Sequence, residues 1–550
     1  MAEQKNWRHP VGDKERGDII RAVAARVVAG RVDDAQAHPD KNALEYVIND
    51  TLFHEKQRAR EDRSEEMKKE MEFLRAATHG LASAGDDKKK AMLHKLAQHY
   101  AEDVAGHFDP RVFAFTTKVL PYGLEMLFNA FSPAMFFKQF PNLPDLQARI
   151  TIRGDIDHIR RLARRGTVIV APTHASNMDS LCVGWALNDL DLPPVSYGAG
   201  KGLFSNPMLS FFMNSLGAYK VDRTVRHALY KEVLKQYSIM ILERGYHSLF
   251  FPGGTRSRSG EVENKLKLGL LGTGLTAYVN NLLSGNKRPD IYIVPLTINY
   301  PIVLEASTLI DDYLQDVGKS RYIILDDEFS KPAKMANFVI KLMGSESSMA
   351  LQFGPPLDPF GNRVDEDGNT VDPRGRVVDT ATYVTGADGS VNHDAARDAE
   401  YTRELGDALV DIYHTHTVAL STHTLAFTLF NMLKKDNPGA DVYRLLRFEG
   451  EGKSYPEHEV LQCLERVVAR LLELESAGKI KIGGVLRPGE CAREVMYAAL
   501  RFFGMYHTTP VVVRRAGRIH INDLNLLLFY HNRLTGFGLE QVFAGGDTHE

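Results

Sequence analysis

The chain has 550 residues, which is too long for one ordinary hydrophobic core, so we expect two or three domains. Its 44% hydrophobic and 25% charged residues are typical of a folded globular protein, and its formal net charge of −3 argues against nucleic acid as the main partner. The three cysteines are far apart, without metal-binding spacing or a disulfide framework, and 1–40 lacks the apolar core of a signal peptide, so we expect a cytoplasmic protein.

The region 1–149 is predicted to be helical. Leu44, Val47, Ile48 and Leu52 recur at helical spacing, and the charged run that follows is most simply a solvated helix face. Prolines punctuate the end of this region, and a different pattern starts near residue 150.

Between 150 and 354 short apolar runs alternate with helical stretches, which predicts an α/β fold. We expect a central mixed, mostly parallel sheet covered by helices, with helical N- and C-terminal regions on either side. The predicted strands are 167–171, 195–199, 218–222, 247–252, 291–298 and 349–353. The predicted helices are 154–164, 180–188, 205–215, 224–243 and 265–282.

The region 355–397 changes character, with Asp-Gly pairs between short alternating runs, and is predicted to be an insertion of small β-hairpins. From 398 to 550 the pattern is helical again, apart from a possible strand at 510–514.

Two apolar stretches raise the question of a membrane span. Charged residues and prolines interrupt 112–137, and threonines and histidines dilute 412–433. A spanning helix needs about 20 predominantly apolar residues, so neither stretch is predicted to span. The first fits either an interfacial segment against lipid headgroups or a buried core helix, and the second fits a core helix.

The residues 167–182 hold the first candidate site. A buried strand ends near Pro172 and is followed abruptly by polar residues, among them His174 and Asp179. A histidine in this place lies at the carboxyl edge of the sheet, where α/β folds bind ligands. A turn can bring the Asp179 carboxylate to the imidazole, which would leave the other ring nitrogen as a general base. For this pair alone, a helix cap beside a structural histidine is the simpler interpretation.

Three further stretches carry basic or polar residues at strand ends. The first is 217–223, with Lys220 and Arg223; the second is 249–260, with a glycine pair and two arginines; the third is 293–300, with Pro295. Glycines let a main chain approach an anion, and guanidinium groups bind phosphate with two hydrogen bonds. Each alone is ordinary, since Gly-Gly with Arg is more often a surface turn and a proline-containing strand more often an edge. Together they favour an anion pocket beside a base.

This ordered set of four stretches resembles the motifs of the glycerolipid acyltransferases, which esterify glycerol phosphate or its monoacyl derivative. His174 and Asp179 match His-x-x-x-x-Asp, and Gly217 to Arg223 is similar to the second motif. Phe251-Pro-Gly-Gly-Thr-Arg-Ser257 resembles Phe-Pro-Glu-Gly-Thr-Arg-Ser, and Val294-Pro295 resembles the fourth. The resemblance covers about 150 to 305, and 529–533 is similar to glycerol-3-phosphate acyltransferases. One position departs, because Gly253 stands where the family has glutamate, and Ser257 and Asn299 are the candidate substitutes.

The resemblance implies that 150–354 is the acyltransferase domain. It implies that His174, oriented by Asp179, takes a proton from the acceptor hydroxyl, and that neither a metal nor a redox cofactor is needed. The acyl donor would be acyl-CoA or acyl carrier protein, and the acceptor a glycerol phosphate at a membrane lipid surface. The implied substrate-binding residues are Arg223 and Arg256, with Lys220, Gly254, Thr255, Ser257, Arg258, Lys267 and Pro295.

Several functions stay open at this point. The long helical flanks and the segment 297–305 resemble the enzymes that acylate glycerol 3-phosphate in phospholipid synthesis, which we take as the first interpretation. The second motif, ending Val221-Asp222-Arg223, is more similar to 1-acylglycerol-3-phosphate acyltransferases, which make phosphatidic acid. A non-catalytic protein that binds lipids or phosphorylated ligands on the same fold is the alternative of another class. A peripheral protein on the cytoplasmic face of a membrane would suit either enzyme.

Overall fold

A computed structural model describes residues 7–37, 43–114, 150–201, 210–211, 213, 215–317, 349–449, 452–487, 489, 491–504, 507 and 509–544. The apolar stretch 112–137 lies outside these residues from 115 onward. Most of the predicted helix 205–215 also lies outside them.

A seven-stranded sheet forms the centre of the fold, and this confirms the predicted mixed, mostly parallel α/β architecture. The order across the sheet is β1-β7-β6-β2-β5-β3-β4, and β7 runs antiparallel to β6 while every other neighbouring pair is parallel. The strands are β1 (Ile150–Arg153), β2 (Thr167–Pro172), β3 (Ser196–Gly200), β4 (Ala218–Val221), β5 (Ser248–Leu249), β6 (Ile291–Asn299) and β7 (Met349–Phe353). Both β2 and β6 are buried along their whole length, as expected for strands covered on two faces.

Three strands differ from prediction, and the first of them, β1, was not predicted. The strand predicted over 247–252 is hydrogen-bonded as β5 over two residues only, because the chain turns into the loop that contains Pro252. Pro295 lies in the central strand β6 rather than on an edge. The N–H of Gly354 donates to the Pro295 carbonyl at the point where the antiparallel pairing of β6 with β7 ends. Because the regular pairing stops there, the N–H that proline lacks interrupts no strand hydrogen bond.

Helices connect the parallel strands and cover the sheet. They are α5 (Ile156–Arg165), α6 (Asp179–Asp189), α7 (Ala228–Glu243), α8 (Leu268–Leu283) and α9 (Ala306–Val317), preceded in the chain by α1 (Asp13–Ala37), α2 (Ala43–Glu61), α3 (Glu65–Ala77) and α4 (Asp86–Val104). The N-terminal helices α1 to α4 share one hydrophobic cluster with α7, which contributes Tyr230, Val233 and Tyr237. The N-terminal helices therefore pack directly on the sheet-covering layer.

The stretch 355–394 contains a repeat of seven residues that the sequence analysis missed. Asp358, Asp365 and Asp372 each begin a tight turn, and each carboxylate accepts two main-chain N–H bonds within its own turn. A glycine with positive φ closes every turn. The antiparallel pair β8 (Arg363–Val364) and β9 (Thr370–Val371) lies between successive turns.

The C-terminal region is mainly helical, with small sheets. Its helices are α10 (Ala395–Thr415), α11 (Ser421–Asp436), α12 (Glu457–Ser476), α13 (Ala492–Phe503) and α14 (Leu524–Asn532), with short helical turns at Val442–Arg444 and Gln541–Ala544. The parallel pair is β10 (Val418–Ala419) with β12 (Lys481–Ile482), and the antiparallel sheet is β11 (Ser454–Pro456), β14 (Arg518–Ile521) and β13 (Val512–Arg515). The strand predicted at 510–514 is thus present as β13, whereas β11 and β14 were not predicted.

The second apolar stretch, 412–433, belongs to this region. It divides between the end of α10, strand β10 and α11, whose residues 421–433 are all buried in the protein core. The core interpretation is therefore confirmed for this stretch. Across the helices that the structure describes, none combines the length and the hydropathy required to cross a membrane.

Gly260 lies at the end of the loop 251–260, which follows β5 and carries the third motif, and it contacts Phe529 of α14. Its substitution tests that contact. A Cβ there would lie 2.1 Å from the Phe529 carbonyl oxygen, and the residue has φ +83°. We expect Gly260→Ala to lower the free energy of unfolding in urea by about 1–3 kcal/mol more than Gly375→Ala, because overpacking adds to the cost of positive φ. Gly375 is the matched control, since its φ is +78° and a Cβ would meet nothing within 4 Å. Equal losses in the two variants would contradict the packing described here.

Candidate active site

The candidate site is built first on the loop between β2 and α6. The Nδ1 atom of His174 lies 2.8 Å from Oδ2 of Asp179, so the contact predicted from their spacing is present. Asp179 is the first residue of α6 and is completely buried, whereas the His174 side chain keeps 16% of its surface exposed. With Nδ1 held by the carboxylate, Nε2 is the nitrogen left for a reacting hydroxyl group.

Four donors satisfy the Asp179 carboxylate. Besides the imidazole, the main-chain N–H groups of Ala175 and Ser176 donate to Oδ2 at 2.7 and 2.9 Å. The hydroxyl group of Tyr300, just after β6, donates to Oδ1 at 2.8 Å. A buried carboxylate held by this many donors fixes the tautomer and orientation of the imidazole.

The third-motif loop, 251–260, packs directly against His174. The Phe251 ring stacks on the imidazole with a centroid separation of 4.2 Å, and Ser257 N–H donates to the His174 carbonyl at 2.8 Å. Gly254 has φ +76°, which a glycine adopts without strain and which turns the loop back toward β2. The first and third motifs thus form one continuous surface at the carboxyl edge of the sheet.

Glu305 links this surface to the residues after β6. Its buried carboxylate accepts from the Ser176 hydroxyl at 2.9 Å and from Asn177 N–H at 3.0 Å. Its Oε1 also lies 3.4 Å from a guanidinium nitrogen of Arg256. One carboxylate therefore positions both the histidine loop and the arginine of the third motif.

Two arginines converge on the site. Arg223 follows β4 at the surface, and partial burial together with the positive charge of Arg256 lowers the pKa of its guanidinium group. The two guanidinium groups therefore repel each other electrostatically, and an anion in their common field would relieve that repulsion. Arg256 is partly covered, with 23% of its side chain exposed.

The other predicted binding residues have different surroundings. Lys220 pairs with Asp103 of α4 at 3.1 Å, and Arg258 pairs with Asp316 of α9. Thr255 is exposed, and the main-chain N–H of Lys267 donates to the Pro252 carbonyl while its side chain covers Gly254. Pro295 is buried in β6 beside Ala171. Of the predicted set, Arg223 and Arg256 are therefore the pair best placed to act together on an anion.

Two residues proposed to replace the missing glutamate are occupied elsewhere. The Ser257 hydroxyl donates to the Glu261 carbonyl at 2.8 Å. Asn299 bonds to Arg533 and to the main chain of Val418, and it is buried. The carboxyl group found next to Gly253 is that of Glu263, which accepts from His174 N–H at 2.5 Å. Sequence reasoning missed this residue because it lies ten positions beyond the motif glycine.

The C-terminal helix α14 closes the side of the site. Asn532 donates to the Ser259 carbonyl at 2.9 Å, and buried Arg533 donates to the Ile298 carbonyl at 2.9 Å. The Tyr530 hydroxyl accepts from Val303 N–H at 3.1 Å. The segment 529–533 therefore holds the third-motif loop and the end of β6 together.

Cys182 lies below the histidine on α6. Burial raises the pKa of its thiol to about 12, so the thiolate needed for nucleophilic attack is not formed near neutral pH. This cysteine is therefore a core residue and not a candidate nucleophile.

Comparison with known families agrees with this geometry. Residues 153–299 match the family model described as Acyltransferase, a segment that runs from the end of β1 to the end of β6 and includes all four motifs. These residues form an O-acyltransferase domain of the glycerolipid acyltransferase family.

Proposed function

We propose that the protein transfers a fatty acyl group from acyl-CoA or acyl carrier protein to glycerol 3-phosphate. The observation that carries this proposal is the position of the His174–Asp179 pair at the same sheet edge as Arg223 and Arg256. A base beside two coupled cations suits an acceptor that has both a hydroxyl and a phosphate group.

In the proposed reaction, Nε2 of His174 takes the proton of the acceptor hydroxyl as its oxygen attacks the thioester carbonyl carbon. The resulting tetrahedral intermediate collapses when the carbon–sulfur bond breaks, and the imidazolium returns the proton to the departing thiolate. Asp179 stabilises the imidazolium that forms between these steps, as a buried carboxylate does in a catalytic triad. The guanidinium groups hold the phosphate so that the hydroxyl stays near the base.

The choice of glycerol 3-phosphate over its 1-acyl derivative rests on the segments outside the motifs. Glu305 and the 529–533 segment, which carry the resemblance to the first-step enzymes, both contact the site. In this proposal Glu305 acts on Arg256 through its carboxylate and on the histidine loop through Ser176 and Asn177. The 1-acylglycerol-3-phosphate acyltransferase activity is the second candidate, favoured by the sequence Val221-Asp222-Arg223.

We expect His174→Ala to reduce kcat for acyl transfer by about 10²–10⁴-fold, because that is the usual contribution of a general base. His99→Ala is the matched control. His99 has its Nε2 atom 2.8 Å from the Glu70 carboxylate and stacks on Phe73, so it reproduces the surroundings of His174 away from the motifs. Steady-state kinetics of the two folded variants gives the kcat values to be compared with that of the wild type. If the His174→Ala variant kept more than about a tenth of the wild-type kcat, His174 would not be the general base.

We expect Arg256→Lys to raise the KM for the phosphate acceptor on the order of tenfold, or about 1.4 kcal/mol, because lysine lacks the planar fork of donors. The KM for the acyl donor should change little. Arg397→Lys serves as control, since Arg397 has 22% of its side chain exposed against 23% for Arg256 and pairs with Asp398. A rise confined to the donor KM would show that Arg256 does not bind the acceptor phosphate.

We also propose that the protein binds peripherally to the cytoplasmic face of a membrane. Both the acyl donor and the product carry chains that partition into lipid, which gives a membrane-bound enzyme direct access to them. Washing membranes with high salt or alkaline carbonate should release the protein into the supernatant. Release by detergent alone would be the sign of an integral protein and would contradict this proposal.

A further inference from the structure

Glu263 lies in the loop between the third motif and α8, and its carboxyl group reaches back into the site. Its Oε1 accepts from the main-chain N–H of His174 at 2.5 Å, and the N–H of Gly253 also interacts with the carboxyl group. Oε2 is buried and has no hydrogen-bond partner among the residues that the structure describes. A carboxyl group in this position acts on the backbone of the histidine rather than on its ring.

A side chain at position 253 would require the carboxyl group of Glu263 to move. A Cβ at position 253 would lie 2.6 Å from Oε2, 2.7 Å from the carboxyl carbon and 3.0 Å from Oε1 of Glu263. The backbone of Gly253 does not require glycine, since its φ is outside the positive range that Gly254 occupies. The space that a side chain would take at this position is therefore filled by the carboxyl group of Glu263.

The surroundings of Glu263 are those of a functional group rather than a surface charge. Burial raises the pKa of its carboxyl group to about 7, while the N–H groups of His174 and Gly253 and the charge of Arg533 act to lower it. Arg533 is itself buried, and it is anchored on the Ile298 carbonyl and the Asn299 side chain. An acid whose Oε2 is buried without a partner among the described residues, on a side chain of intermediate exposure, calls for an explanation beyond stability.

We propose that Glu263 is a positioning residue of the acyltransferase site, which supplies from outside the third motif the carboxyl group that Gly253 lacks and holds the main chain of His174 in place. This inference rests on the proposed role of His174 as the base. It assigns to Glu263 no contact with the substrate and no proton transfer to it. In this proposal the carboxyl group of Glu263 fixes the backbone of His174, and the carboxylate of Asp179 fixes its imidazole.

Exchanging the two residues tests the proposal. We expect Glu263→Ala to lower kcat by about tenfold to a hundredfold, because a small displacement of a catalytic group can cost about 10² in rate. Gly253→Glu alone should also lower kcat, since its side chain collides with Glu263. The double variant Gly253→Glu/Glu263→Ala should recover to within about threefold of wild type, because a Cβ at 253 would lie 3.0 Å from the position of the oxygen that accepts from the His174 N–H. Glu261→Ala is the neighbouring control and should stay within about twofold.

A double variant no more active than Glu263→Ala would overturn the proposal, as would a Glu263→Ala enzyme with more than about half of the wild-type kcat. Hydrogen exchange of the peptide containing His174 gives a second measurement that needs no substrate. Exchange should be faster in Glu263→Ala and slow again in the double variant, and unchanged exchange would contradict the role. A wild-type protein without acyl transfer to glycerol phosphates would overturn the proposed function instead.

The pH profile of Glu263→Gln separates positioning from mere packing. Glutamine keeps the shape but cannot ionise, whereas the wild-type carboxyl group, with its pKa of about 7, is charged above that pH and neutral below it. The ratio of variant to wild-type kcat should therefore be lowest near pH 8 and rise as the pH falls through about 7. A ratio that does not change with pH would show that the charge on Glu263 has no part in catalysis.

Discussion

The buried carboxylate of Asp179 is the constraint on which the site depends. A charge removed from water is costly unless hydrogen-bond donors replace the solvent. Here the donors come from the His174 ring, from two main-chain N–H groups of the same loop, and from Tyr300 beyond β6. Satisfying one carboxylate therefore determines the path of the loop after β2, the start of α6 and the position of the chain after β6.

Two further buried carboxyl groups extend the same principle to the neighbouring loops. Glu305 joins Ser176 and Asn177 to Arg256, and Glu263 joins His174 to the third-motif loop. The positive charges that face them come from Arg256 and from Arg533 of the C-terminal helix. The α/β domain thus provides His174 and Arg256, while Arg533, which follows α14, adds a further positive charge. The same C-terminal segment packs on Gly260 through Phe529.

Much of this arrangement could be predicted from local sequence, because local patterns determined it. The apolar runs of β2 and β6 predicted buried strands, and the spacing of His174 and Asp179 predicted their contact. The contacts that sequence could not predict join distant segments. Glu263 and His174 are 89 residues apart, and Lys220 and Arg258 find acidic partners on α4 and α9. Pro295 suggested an edge strand because proline lacks an N–H. The interruption of pairing that accommodates it involves Gly354, which is distant in the sequence. The repeated Asp358, Asp365 and Asp372 turns carried a visible period of seven, which was a signal available in the sequence.

The central claim is that a base and an anion clamp act together on glycerol 3-phosphate. The most direct test follows thiol release from acyl-CoA by the purified protein, with glycerol 3-phosphate, with its 1-acyl derivative and with neither. The account predicts that thiol is released only when an acceptor is present, mole for mole with new ester, and with the higher kcat/KM for glycerol 3-phosphate. Equal release without acceptor would contradict the claim of acyl transfer. A kcat/KM more than about tenfold higher for the 1-acyl derivative, about 1.4 kcal/mol in transition-state binding, would contradict the assigned acceptor.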